Sequence, residues 1–250
     1  MKSLKLTFLT LTLLFCFACE SEDTVSPSSE TLSTDDAAEI VSSSVSDNSA
    51  GLNAMVSDIV RTTESSLSSE MESPSNGCGY QMDTVFSTSN PSGTVSTYSF
   101  QFAYAYEIQC KSNNIPEFVA VSSSYEGTYD GPRLVSDNTG IASFSMSGFP
   151  LTQSAYIING VYERSGDFES RVRNMTQSNS TVSFDLSALS YDKQLGEISS
   201  GTASLSLSGT LKSGESYSYM GSLSFEGNGV VILTLNGEIY TIDLRTGEIS

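Results

Sequence analysis

The chain has 250 residues, of which 38% are hydrophobic and 16% are charged, so it can bury a core but has few of the charges that usually cover helices. Its formal net charge of −18 disfavours nucleic acid as a partner. The absence of histidine excludes imidazole metal ligands and the commonest general base, and we expect no enzyme activity, no cofactor and no metal site.

The first 18 residues have the pattern of a signal peptide. Lys2 and Lys5 precede an apolar run over residues 6–18. This run is shorter than the roughly 20 helical residues that cross a bilayer, so it matches the apolar region of a signal peptide better than a membrane anchor. We therefore expect residues 1–18 to be removed on export.

The run ends in Cys16-Phe17-Ala18-Cys19, which resembles a bacterial lipobox, although Phe17 and Cys16 depart from its usual pattern. The resemblance implies that Cys19 is lipidated with diacylglycerol and palmitate and begins the mature chain. Ordinary cleavage after Ala18 is the alternative, but it would strand an odd thiol in an oxidising compartment. Lipidation instead leaves Cys78 and Cys110 as a pair.

The residues that follow Cys19 are acidic. Glu20, Glu22 and Asp23 resemble the surface-export signal of Bacteroidota lipoproteins. Asp23-Thr24-Val25 resembles the O-glycosylation sites of the same phylum, which makes Thr24 a candidate acceptor. Together these resemblances imply an outer-membrane protein, lipid-anchored and facing the cell surface.

Residues 19–34 are rich in serine and have little to bury, so they predict a tether. A helical segment is predicted over residues 35–72, with Ser33 as its N-cap. Gly51 interrupts the pattern and predicts a broken or two-piece helix. Its apolar stripe, which we expect to pack on a sheet, consists of Leu52, Met55, Val56, Ile59, Val60 and Leu67.

Residues 76–250 predict an antiparallel β domain because apolar and polar residues now alternate with period two. The alternation gives one strand an aromatic face that is either core or the wall of an apolar-ligand site: Tyr98, Phe100, Phe102, Tyr104 and Tyr106. Cys78 and Cys110 lie at the open end of this hairpin, and a disulfide there would stabilise by about 3 kcal/mol. A tight turn at residues 90–93 would pair Cys78 nearer to Tyr106, so the disulfide requires a bulge or a longer loop.

The chain contains an internal repeat. Residues 140–148 match residues 201–209 at an offset of 61, and Gly-Glu-Ile-Ser occurs at residues 196–199 and again at 247–250. We interpret residues 140–199 and 201–250 as duplicated four-strand meanders with a boundary at Ser199 and ten extra residues in the first copy. The alternative is that serine-rich strands simply look alike.

Three turns of the second copy predict its strand register, and all of them place the apolar residues on one face. The predicted pairs are Leu211 with Glu215, Leu207 with Tyr219, Ala203 with Leu223, Phe225 with Val231, and Leu233 with Tyr240.

The predicted fold is mainly β, with about 11–12 antiparallel strands in meander order and an N-terminal helical segment. A curved open sheet, a barrel, a half-barrel and a sandwich all fit this pattern. We favour the curved open sheet, because the helix can then cover its concave face.

The charged residues near residue 165 alternate in sign. Glu163, Asp167 and Glu169 could be paired carboxylates of a glycosidase, but Arg164, Arg171 and Arg173 accompany them. Cross-strand ion pairs on a solvated face are the better interpretation.

The sequence therefore predicts a lipid-anchored envelope protein with a non-enzymatic β domain that binds or scaffolds a protein, a glycan or an apolar molecule. The alternative is a carrier that holds an apolar ligand or lipid between the curved sheet and the helix.

Overall fold

The computed structural model describes residues 31–70, 78–90, 95–112, 115–149, 152–173 and 175–250, without the side chains of residues 66–70. The predicted signal peptide, Cys19, Thr24 and most of the tether lie outside the described residues.

The described residues form two helices and ten strands. The helices are α1 (Thr34–Val45) and α2 (Leu52–Glu70), separated by a 3-10 turn at Asp47–Ser49. The strands are β1 (Gln81–Ser89), β2 (Thr97–Cys110), β3 (Pro116–Asp130), β4 (Leu134–Ser147), β5 (Ala155–Ser170), β6 (Gln177–Asp192), β7 (Glu197–Leu211), β8 (Ser216–Gly227), β9 (Val230–Leu235) and β10 (Glu238–Asp243).

All ten strands belong to one sheet, in the order β1 to β10, and each pairs antiparallel with its neighbours in sequence. The meander and the open sheet with an N-terminal helical segment are thus confirmed. Within the described residues, β1 and β10 are its two margins and do not pair with each other.

The expected 11–12 strands become ten because the two repeat units differ. Residues 140–199 span the end of β4, all of β5 and β6, and the start of β7, whereas residues 201–250 contain most of β7 and all of β8 to β10. The single sixteen-residue strand β6 takes the place of the short strands β9 and β10. No Asn-Gly turn divides β6, as Asn236-Gly237 divides β9 from β10. The four-strand description of the first unit was therefore wrong, and Ser199 lies inside β7.

The predicted register of the second unit is confirmed. Leu207 lies opposite Tyr219, Ala203 opposite Leu223, Phe225 opposite Val231, and Leu233 opposite Tyr240, while the N–H of Leu211 donates to Glu215 O over 2.8 Å. Asn236 and Gly237 both have positive φ, at 49° and 89°, as a two-residue type I′ turn requires.

The helical segment is in two pieces, as predicted. Ser33 caps α1, because its Oγ accepts the N–H of Asp36 over 3.1 Å. At Gly51 a Cβ would lie 2.7 Å from the carbonyl oxygen of Ser44, so only glycine allows the chain to fold back between the helices. Both helices contribute buried residues to the core that they share with the sheet, among them Val41 and Met55.

The predicted disulfide joins Cys78 to Cys110, with Cα atoms 5.5 Å apart. The β1–β2 register, which pairs Gln81 with Glu107 and Ser89 with Ser99, places the two cysteines opposite each other. The connection between the strands is therefore the longer loop that the disulfide required; residues 91–94 of the predicted turn lie outside the described part of the chain.

Candidate binding pocket

The predicted aromatic face is packed as core. Phe100, Phe102, Tyr104 and Tyr106 are 1 to 5% exposed, and Tyr98 is partly buried against them. The rings of Phe102 and Tyr104 stack with centroids 5.9 Å apart. Burial raises the pKa of the Tyr104 phenol. This packing gives the carrier alternative no support.

Arg164 does not form the predicted ion pair on a solvated face, because it points to the opposite, core side of β5 and is fully buried. Its Nη1 donates to Ser43 O over 2.8 Å and to Ser49 O over 3.4 Å. These carbonyls belong to the end of α1 and to the 3-10 turn, where the helical ladder leaves carbonyls without partners. The guanidinium therefore supplies hydrogen bonds to two carbonyl oxygens at the break between α1 and α2.

Two further contacts hold Arg164. In the amide orientation that satisfies both residues, Asn138 Oδ1 accepts from Arg164 Nη2 over 2.8 Å and from Nε over 3.1 Å. The guanidinium carbon lies 5.3 Å from the centroid of the Phe100 ring, a cation–π distance. Among the residues that the structure describes, no carboxylate lies within 4 Å of this cation, so neutral acceptors and an aromatic ring compensate its burial.

The other arginines also pair differently from the prediction. Arg133 and Arg173 bind Glu39 of α1, whose side chain is only 4% exposed: Arg133 Nε donates to Oε1 over 2.8 Å and Arg173 Nη1 over 3.5 Å. The bond with Glu39 raises the pKa of Arg133. Arg171 pairs with Asp130 over 2.6 Å. The sequence interpretation grouped Arg171 and Arg173 with Glu163, Asp167 and Glu169, but Arg173 binds the first turns of α1 and Arg171 binds the end of β3 instead.

A cavity of about 360 Å³, which we call the seam pocket, lies where the β3–β4 connection and the turn after β10 approach α1. One side of it is Val95, just before β2, and another is the C-terminal turn at residues 245–248. Its volume is at the small end of the range for ligand sites. Its lining includes Glu39, Asn48, Tyr129, Leu134, Arg245 and Glu248.

Three polar groups of the seam pocket lack a strong protein partner. Arg245 Nη2 donates to Asn228 O over 3.0 Å, but within the described ranges no carboxylate lies within 4 Å of its guanidinium. Glu248 is exposed and likewise has no cation within 4 Å in that part of the chain. Asn48 donates its amide to Thr246 O, yet its Oδ1 is enclosed without a donor from the described residues.

The rest of the pocket is rigid and partly apolar. Tyr129 and Leu134 are buried wall residues, and Glu39 is held in place by Arg133 and Arg173. One cation and one carboxylate beside an apolar wall can recognise a small molecule that carries groups of both signs.

The acidic groups near Arg245 weaken the positive electrostatic potential around its guanidinium. Burial raises the pKa of Asp47, and the Asn53 amide and the Arg245 charge oppose that rise. Burial also acts to raise the pKa of Asp243, but the N–H groups of Thr246 and Arg245 that bind its carboxylate lower it on balance. A simple anion thus meets competing negative charge here, whereas the ammonium group of a zwitterion offsets this repulsion.

The sequence did not point to the seam pocket, because its residues come from four distant segments. A signal was present at Glu39, which stands among the apolar residues of α1, and at Arg133, which follows Gly131-Pro132 at the β3–β4 turn. A charge in an otherwise buried helix face indicates a buried partner.

Among the described residues, neither helix combines the length and the apolar character needed to span a bilayer. Comparison of the chain with protein-family models, with curated proteins and with solved structures finds no match in any of the three.

Proposed function

We propose that the protein is a lipid-anchored, outer-membrane, surface-facing protein whose non-enzymatic β domain binds a small zwitterion, an amino acid with an apolar side chain, in the seam pocket. The observation that carries the binding proposal is a pair of opposite charges at one cavity, the Arg245 cation and the Glu248 carboxylate, neither of which has an ion-pair partner among the described residues. The buried wall of Tyr129 and Leu134 supplies the apolar contact.

The charges of the ligand follow from complementarity. Its carboxylate would bind Arg245, and its ammonium group would bind Glu248, so that each charge of the ligand meets its opposite. The lining supports recognition more than catalysis, because a histidine-free chain has none of the usual nucleophile and base pairs.

Thermal unfolding of the full chain tests the pocket. Leucine, glucose and acetate serve as probes for a zwitterion, a polyol and a simple anion. We expect leucine alone to raise the unfolding temperature, because a ligand that binds only the folded state stabilises it. Arg245→Ala should abolish this shift, whereas Lys212→Ala, an exposed cation outside the pocket, should retain it. A shift with glucose only, or with no probe, would reject the zwitterion.

Labelling with palmitate tests the anchor separately. Cys19→Ala should lose the label and leave the membrane fraction, while Cys16→Ala, which changes the neighbouring leader cysteine, should keep both. Membrane retention of unlabelled Cys19→Ala would reject lipid anchoring and leave the pocket proposal untouched.

A further inference from the structure

The two margins of the open sheet differ in how their edges are protected. At the β10 margin, Thr241 and Ser250 exchange backbone hydrogen bonds of 2.7 and 3.0 Å, and the N–H of Asp243 donates to Glu248 O over 3.0 Å. The C-terminal residues therefore cover half of this six-residue strand. Covering and shortening are devices by which proteins prevent unwanted pairing at sheet edges.

The β1 margin has none of these devices within the described residues. Its nine residues pair with β2 without a register shift, so no bulge twists the edge away. The strand contains no proline and no lysine, and Asp83 is its one charged residue. Val85 is 63% exposed on the outer face, and Met82 and Phe86 are only partly buried on the face that packs against the core. A long, regular edge with apolar residues on both faces favours addition of another strand.

The direction of the free backbone groups follows from the register. The N–H of Ile108 donates to Tyr80 O, so Tyr80 is bonded to β2. Bonding alternates along an antiparallel pair, so Met82, Thr84 and Phe86 also bond to β2. The N–H and C=O groups of Asp83, Val85 and Ser87 therefore point to the open edge.

We infer that β1 is a docking edge whose partner is β1 of a second copy of this chain, paired antiparallel about Val85. In this arrangement Val85 lies opposite Val85 of the second copy, and Asp83 lies opposite Ser87. The two Asp83 carboxylates are then four positions apart along the strands, about 13 Å, which is beyond the Debye length at physiological salt. Phe86 lies opposite Thr84 of the second copy, so the added strand extends the core face of the sheet beside the Phe86 ring.

A twofold axis through Val85 makes the edge complementary to itself, as the commonest oligomeric symmetry requires. The net charge of −18 on each chain opposes association. We therefore expect dimerisation to strengthen as salt is added.

Light scattering after size exclusion tests this on the full chain carrying Cys19→Ala, which separates dimerisation from lipidation. The expected mass is that of two chains. Val85→Pro removes an N–H that points to the edge and spares the β2 bonds, so a folded monomer with at least tenfold weaker association is expected. Ile141→Ala, which changes another exposed apolar residue of the sheet, should stay dimeric.

Cysteine cross-linking covers the case in which Val85→Pro fails to fold. Val85→Cys at the twofold axis should form an interchain disulfide, because hydrogen-bonded partners have Cα atoms about 5.5 Å apart. Ser124→Cys, on an interior strand, should not. A parent chain that stays monomeric at every concentration and salt level, or a folded Val85→Pro dimer, would overturn the inference.

Discussion

At the scale of single residues, Arg164 shows how a buried charge can join separate elements. Its guanidinium binds Ser43 O at the end of α1, Ser49 O in the 3-10 turn and Asn138 on β4. The planar fork reaches all three acceptors at once, which the single ammonium group of lysine cannot do.

We predict that Arg164→Met lowers the free energy of unfolding by about 3–5 kcal/mol, because it strands several enclosed acceptors. Arg164→Lys should also lower the free energy of unfolding, since lysine keeps the positive charge but lacks the planar set of donors that reaches all the acceptors. Urea unfolding followed by circular dichroism measures both. Lys212→Met is the control, an exposed cation whose Nζ donates to Gln177 Oε1, and it should change stability by no more than about 0.5 kcal/mol. An equally small effect of Arg164→Met would contradict the role of Arg164 in satisfying these buried acceptors.

At the scale of structural elements, the repeated Gly-Glu-Ile-Ser marks two turns of the same construction. Asp192 Oδ1 accepts the N–H groups of Gln194 and Leu195 over 2.8 and 2.9 Å, and Gly196 follows with φ of 70°. Asp243 binds the N–H groups of Arg245 and Thr246 at the same two distances, and Gly247 also has φ of 70°. The two aspartates are therefore equivalent side-chain caps.

We predict that Asp243→Ala and Asp192→Ala each cost about 1 kcal/mol, the usual size of a lost side-chain cap. The Asp243 effect should depend on pH. The pKa of Asp243 is lower in the folded than in the unfolded chain. Its contribution to the free energy of unfolding is therefore complete above the unfolded pKa and is lost as pH falls through the folded pKa. Urea unfolding across the acidic range should show a smaller difference between Asp243→Asn and the parent at low pH. An unchanged difference would show that the carboxylate charge is not involved.

At the scale of the whole molecule, two electrostatic effects oppose each other. Asp35, Asp36 and Glu39 of α1 bind Arg133 and Arg173, which ties the helix to the β3–β4 and β5–β6 connections. The whole chain nevertheless carries a net charge of −18, and Asp137 lies directly opposite Asp167 on the outer face. Exposed repulsions are screened by salt more effectively than partly buried pairs.

We therefore predict that stability rises when salt is raised from about 10 to about 150 mM, which shortens the Debye length from about 30 to about 8 Å. Asp137→Asn removes one cross-strand repulsion and should reduce this dependence while adding a few tenths of a kcal/mol. Unfolding midpoints at the two salt levels measure both effects. A midpoint that falls with salt would mean that the ion pairs of α1 dominate.

Local patterns in the sequence were enough for most of the architecture. Alternation along β2 identified the aromatic core face, and the turn residues of the second repeat unit set its register. The strand number was wrong because β6 continues where β9 and β10 turn, a difference that the repeat alignment obscured. Arg164 was assigned to the solvated side, because arginine at an alternating position is usually exposed and its two carbonyl acceptors lie more than 100 residues away.

The contacts of α1 also determine how the domain would carry a mechanical load. A pull applied ahead of Leu32 is met first by the Tyr219 hydroxyl, which donates to Leu32 O. The load then reaches α1, where Arg173 and Arg133 hold the first two turns. Only after these pairs separate does the load reach Ser43 and the bonds of Arg164. We therefore expect the arginine bonds to take up such a load one after another along α1, from its first turns to its end.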